Sequence, residues 1–111
     1  MHRAATTEAD LEQLIAGSDP AWVFKHSNTC PISSAAFDEF QSYLDTRPDD
    51  QAVVVVVQTQ RPLSNWIATR LKHTHQSPQV FLVRSGTVLW SASHWSITAA
   101  ALITARQAAG K

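Results

Sequence analysis

The sequence predicts an α/β fold in which a central, mixed four-stranded sheet is flanked by helices in the order αβαβαββα. Three features predict it. Five consecutive valines at positions 53–57 show no alternation, the pattern of a strand buried on both faces of a sheet. A strand-like run, a helical run and that valine strand follow one another, and such a unit requires a parallel pair joined by a crossover. Further on, two strand-like runs flank Ser85-Gly86, a dipeptide suited to the tight turn of an antiparallel hairpin.

Residues 7–16 read as a short opening helix: Thr7 and Asp10 approximate a capping box, Leu11, Leu14 and Ile15 recur at helical spacing, and Gly17 suits the stop. Ser18, Asp19 and Pro20 make a turn. Residues 21–26, AWVFKH, are apolar and rich in strand formers, and give the first core strand. A helix over residues 31–44 follows, with Ile32, Ala36, Phe40, Tyr43 and Leu44 spaced to cover one face, and TRPDDQ breaks it. The valine strand is expected to be central. Pro62 opens a third helix that carries Trp66, Ile67, Arg70 and Leu71 to a polar exit, KHTHQ. After the hairpin, residues 98–108 form an alanine-rich helix before Gly110. This order is the thioredoxin arrangement, expected as one domain over residues 1–111.

At 111 residues the chain can bury a core without disulfides or a structural metal. Nine Lys plus Arg balance nine Asp plus Glu, so there is no charge excess to neutralise phosphates and no nucleic-acid partner is expected. The stretch MHRAATTEAD lacks the apolar core of a signal peptide, and AVVVVV is too short to cross a bilayer, so no membrane association is expected. One cysteine cannot form an internal disulfide and fits a reducing compartment, with the cytoplasm as the expectation. Charged residues at 16%, against about 25% in typical domains, allow a monomer or a weak homodimer. Five histidines beside one thiol lack the paired short spacings of zinc sites, so no metal is expected.

The one cysteine, Cys30, precedes Pro31. Proline is favoured at the first helical position, which makes Cys30 the N-cap residue. There its sulfur would accept hydrogen bonds from the amide of Ile32 or Ser33 and feel the positive end of the helix dipole. Lys25 and His26 lie just upstream, and no acid precedes Asp38 in the helix. Each feature favours the thiolate, so Cys30 is expected to titrate below the ~8.5 of free cysteine. A lone cysteine without context reads as a small buried hydrophobe, but the strand-turn-CP-helix setting points to a nucleophile. Three residues on, where a dithiol oxidoreductase carries its second cysteine, stands Ser33. Any disulfide must therefore join Cys30 to a small thiol or another protein, which is monothiol chemistry. Ser33 reads equally as a donor to the thiolate and as an ordinary first-turn serine.

The segments FKHSNTCPISSAAFDEF, HQSPQVFLV and LWSASHWSIT resemble, in order and spacing, the bacillithiol system redox-active YtxJ family, the monothiol bacilliredoxins. The resemblance spans nearly the whole chain and is strongest at TCPIS, residues 29–33. It implies a thioredoxin-like fold and an oxidoreductase whose motif cysteine, here Cys30, removes bacillithiol or a similar low-molecular-weight thiol from mixed disulfides on cytoplasmic proteins. The small thiol is then a co-substrate, and no tightly bound cofactor is implied. Thr29, Pro31, Ile32 and Ser33 would contact substrate around the nucleophile. Pro78 stands where such folds place a cis proline facing the nucleophile, and Ser77 before it would offer its backbone to substrate. His75 and His94 match the family pattern as groove residues, while His26 either bonds locally or tunes Cys30. The departures from the pattern, at Asn28 and at Trp95 with Ser96, bear on the substrate and leave the cysteine motif intact. Trp22, Trp66, Trp90 and Trp95 read as core or rim packing. Two other classes of function fit less of the motif. One is an iron-sulfur carrier of monothiol-glutaredoxin type, whose usual glycine after the cysteine is here Pro31; the other is a thioredoxin-shaped binding module without catalysis.

Overall fold

The structure, a computed structural model, describes residues 3, 4 and 7–110. In chain order the elements are β1 (Arg3–Ala4), α1 (Glu8–Ala16), β2 (Ala21–His26), α2 (Pro31–Asp45), β3 (Gln51–Val56), α3 (Arg61–Leu71), β4 (Gln79–Arg84), β5 (Thr87–Ser93) and α4 (Ala99–Ala109). A single 3-10 turn, His94–Ser96, lies between β5 and α4. Among the described residues the sheet runs β1-β3-β2-β4-β5, a mixed sheet of the thioredoxin type.

Two expectations are corrected. The sheet has five strands, because Arg3 and Ala4 pair in parallel with Val53 and Val54; two residues are too few to leave a periodic signal. Nor is the valine strand central. β2 occupies the middle, parallel to β3 on one side and antiparallel to β4 on the other. A featureless apolar run reports burial on both faces, and β3 has that because helices cover both sides of the sheet; it does not report rank within the sheet.

Alternation along the strands divides the core in two. Ala21 and Val23 of β2, with Val53, Val55, Phe81 and Val83, meet Leu11, Leu14 and Ile15 of α1 and Leu63, Ile67 and Leu71 of α3. Trp22 and Phe24, with Val54, Val80 and Leu82, meet Phe40, Tyr43 and Leu44 of α2 and Leu102 and Ala105 of α4. Local signals act as the sequence suggests. Thr7 Oγ1 accepts from the Asp10 amide at 3.0 Å to cap α1, and Thr98 Oγ1 accepts from the Ala101 amide at 3.1 Å to cap α4. In the hairpin, Ser85 (φ 52) and Gly86 (φ 80) are both left-handed, as a two-residue turn matching strand twist requires. α3 starts one residue before Pro62, at Arg61.

At the end of the sheet where β2 begins, buried Asp50 gathers three elements. Its carboxylate accepts from Trp22 Nε1 at 3.1 Å and from the Tyr43 hydroxyl at 2.5 Å, and it lies 3.4 Å from Arg106 and 3.5 Å from Arg47. Burial first, and then this carboxylate, push the Tyr43 ionisation far above its ordinary value. Asp50→Ala is predicted to leave buried donors without an acceptor and to cost about 3 kcal/mol. Urea denaturation measures this, and a midpoint equal to wild type contradicts the role assigned to Asp50.

Candidate active site

Several segments meet at the opposite edge. β2 and β3 both end there, with His26 paired to Val56, and β4 begins there, with Gln79 opposite Lys25. β5 ends at the same edge, Ser93 opposite Gln79. Residues 27–30, leaving β2, therefore lie at the same edge as the Ser77-Pro78 step that leads into β4. That peptide bond is cis, as the fold implies. The His94 amide donates to the Pro78 carbonyl at 3.2 Å, which brings the 3-10 turn alongside.

Cys30 is the N-cap of α2, in extended conformation (φ −110, ψ 120), with Pro31 opening the helix. It is half-exposed. Its carbonyl accepts the Ser34 amide at 3.1 Å, but the expected hydrogen bond from Ile32 or Ser33 to the sulfur is not formed. Sulfur is a weak acceptor, so nothing draws it onto the helix amides as the oxygen of a serine or aspartate cap is drawn. The helix field acts on it through space.

Ser33 is corrected more strongly. Expected either beside the substrate or the thiolate or as an ordinary first-turn serine, it is 0% exposed, which fits the second reading and not the first. Its Oγ accepts from the Ser27 amide at 2.9 Å and exchanges a hydrogen bond with His26 Nδ1, also at 2.9 Å. Ser33 is thus a clamp between the first turn of α2 and the exit of β2. His26 takes the local role among its two alternatives: it bonds Ser33 and stacks on Phe37, ring centroids 4.7 Å apart, and its burial lowers its affinity for a proton.

The turn before Cys30 is held by a residue that sequence reasoning missed. Gln58, just beyond β3, accepts from the Asn28 amide at 3.1 Å and donates to Ser27 Oγ at 2.7 Å and Thr29 Oγ1 at 3.1 Å. An isolated glutamine after a strand carries no spacing signal. Thr29 and Pro31 are exposed and Ile32 is half-exposed, so these three form the accessible surround of Cys30. Pro78 is buried, and the Ser77 hydroxyl is buried without a partner among the described residues. The loop before it is fixed by buried Gln79, whose side chain accepts from the Gln76 amide and donates to the Thr74 carbonyl, both at 3.2 Å.

His75 meets the other face of the sheet. Lys25, 0% exposed, follows Ala21 and Val23 toward α3, and its Nζ lies 3.1 Å from His75 Nδ1. Ser64 Oγ is 3.4 Å from the same nitrogen. Burial pushes Lys25 down to about 8, and burial, with the charges of Lys25 and Arg61, lowers His75 as well. His73 is structural, its Nδ1 2.8 Å from the Leu71 carbonyl and its ring edge-on to Phe81.

His94 adopts a left-handed backbone, φ 53. Trp22 is core and Trp66 and Trp90 are half-buried, whereas Trp95 is 70% exposed. Trp95 borders a groove of roughly 280 Å³ together with Ala35, Ala36, Glu39, His94 and Ile97. Among the described residues, no three His, Cys, Asp or Glu side chains gather as metal ligands, and no helix is long and apolar enough to cross a membrane.

Residues 3–102 match the model of a family described as monothiol bacilliredoxin BrxC. Among solved structures, a protein described as a candidate oxidoreductase with a thioredoxin fold shares 35% identity, covers 94% of this chain and 92% of its own, and superposes with a TM-score of 0.87. Thioredoxin from Malassezia sympodialis (13% identity, 97% of this chain and 90% of that one, TM-score 0.79) and thioredoxin from Fasciola hepatica (16%, 97% and 98%, 0.76) share the fold alone.

The buried lysine gives a signed pH prediction. Its folded value of about 8 lies below its ordinary 10.5, so between the two the unfolded chain holds the proton more tightly and stability rises with pH. Lys25→Met is predicted to abolish that rise and to be at least as stable as wild type at pH 7. Urea titrations across pH 7–10 measure both; superimposable profiles for the two proteins contradict the prediction.

Proposed function

The chain belongs to the monothiol bacilliredoxin family, and from that premise we propose that it removes bacillithiol, or a similar low-molecular-weight thiol, from mixed disulfides on proteins, with Cys30 as the nucleophile. The observation that carries this reading is the lone thiol, half-exposed at the head of α2, with a fully buried serine in the third place beyond it. Such a sulfur can attack but has nothing in the chain to resolve the product.

The Cys30 thiolate attacks the small-thiol sulfur of the mixed disulfide. A new S–S bond joins Cys30 to the small thiol, the old S–S bond breaks, and the protein sulfur leaves as a thiolate that takes a proton from water. A second small thiol or a reductase then attacks the adduct, releasing Cys30 as thiolate and carrying the small thiol away in a disulfide. Three features support the first step. The positive end of the α2 dipole favours the attacking anion, no acid lies in the first turn of α2, and Pro31 removes an amide that would otherwise need a partner. Thr29, Pro31 and Ile32 supply the rim that a substrate touches, and the Ser77 backbone beside the cis proline is a ready strand-like partner for an extended peptide. Ser33 takes part only by holding the helix start.

Incubation of the full chain with bacillithiol disulfide is predicted to add one small-thiol mass to the protein, and Cys30→Ser to abolish the adduct. Intact-protein mass spectrometry reads both. A wild-type thiol that stays unmodified rejects the proposal.

A further inference from the structure

An ammonium group has donors and no acceptor. The contact between Lys25 Nζ and His75 Nδ1 at 3.1 Å therefore makes Nδ1 the acceptor, and the single ring proton of a neutral His75 resides on Nε2. Burial and the neighbouring cations keep the ring neutral. His75 is thus a donor at Nε2, polarised from behind by a buried positive charge, and that N–H has no hydrogen-bond partner among the described residues.

A second cation stands close by. Ser64, which touches His75, lies three residues after Arg61 on α3, so the two share a face of that helix. Arg61 is exposed at the first position of α3, and its charge is felt at His75. Neither Lys25 nor Arg61 pairs with a carboxylate among the described residues. The first turn of α3 holds no acid, and its N-cap, Gln60, gives no side-chain cap. In a chain whose charges balance, two cations, a polarised N–H and an open helix start thus share one spot without an anion. That arrangement is unfavourable in isolation and favourable around a visiting negative charge.

We propose that Arg61 and the Nε2–H of His75, underlain by the buried ammonium of Lys25, form a subsite that binds a carboxylate of the small thiol carried in the mixed disulfide. The inference rests on the dethiolation proposed above and specifies the chemistry of its small-thiol half. The small thiol is favoured over an acidic side chain of the target protein by position. His75 lies two residues before Ser77, at the end of the sheet that carries Cys30, so a carboxylate on the group that becomes bonded to Cys30 stays at that end in the adduct, whereas an acid of the target leaves with the released protein thiol.

The test uses the full chain at low ionic strength and two matched probes, 3,3′-dithiodipropionate, which carries carboxylates, and neutral bis(2-hydroxyethyl) disulfide. Adduct formation on Cys30 is timed by mass spectrometry, and each rate is divided by that of the urea-unfolded chain to remove the intrinsic difference between probes. The folded protein is expected to prefer the carboxylate probe by about three- to tenfold, a preference that falls as salt is raised. Arg61→Gln and Lys25→Met are each expected to bring the ratio near one. Lys72→Gln, which removes a cation from the far end of α3, is expected to leave it in place. A ratio near one in the wild type, or a preference that Arg61→Gln leaves intact, overturns the subsite while leaving Cys30 chemistry standing. No adduct from either probe removes both readings. A third arm offers a neutral small thiol disulfide-linked to cysteine peptides with and without a neighbouring glutamate; a larger gain from the peptide acid than from the small-thiol acid assigns the charge to the target and overturns the proposal.

Discussion

The hydroxyl of Ser33, buried and held by the Ser27 amide and His26, joins the first turn of α2 to the end of β2, and the position of Cys30 follows from that joint. A sulfur that makes no capping hydrogen bond cannot fix its own helix start as a serine or aspartate cap would. The start is fixed from behind by Ser33, from the side by Gln58 across the β3 exit, and by the φ restriction of Pro31. In dithiol oxidoreductases the third place after the nucleophile carries the resolving thiol. Here that place carries a structural hydrogen bond, so the feature that positions the nucleophile is the one that leaves its adduct to be resolved from outside the chain.

The two ends of the sheet handle charge in opposite ways. Where β2 begins, Asp50 is surrounded by Trp22, Tyr43, Arg47 and Arg106, and a buried carboxylate is matched by donors from three elements. Where β2 ends, Lys25 is buried against a neutral imidazole, and Arg61 stands free of carboxylates among the described residues. A buried acceptor met by donors from several elements favours a single packing. An uncompensated cluster does not help the fold, and its persistence at the edge that carries Cys30 is intelligible as part of how that edge meets other molecules.

Much of this was legible in the sequence because it depends on neighbours in the chain. Pro31 after Cys30 announces a helix start through its fixed φ, Thr7 announces a cap, and Ser85-Gly86 announces a turn that needs two left-handed residues. The cis bond before Pro78 was legible only through the fold, since the local preference is trans. What stayed hidden depends on residues brought together by the sheet. The burial of Ser33 is decided by the preceding strand, Gln58 acts on a loop about thirty residues away in sequence, and Lys25 and His75, fifty residues apart, share no pattern until β2 and β4 pair. The valine run revealed burial but not strand order, and β1 was too short to show at all.

The most direct measurement is the rate at which iodoacetamide labels Cys30 at neutral pH in the folded chain and in the same chain unfolded by urea, where the sulfur keeps its sequence neighbours and loses α2. Folding should accelerate labelling several-fold, since the sulfur is then held half-exposed at the start of α2, where the helix field favours its attack. Equal or slower labelling of the folded chain would contradict an activated Cys30 and leave a thioredoxin-shaped protein whose one thiol is merely accommodated.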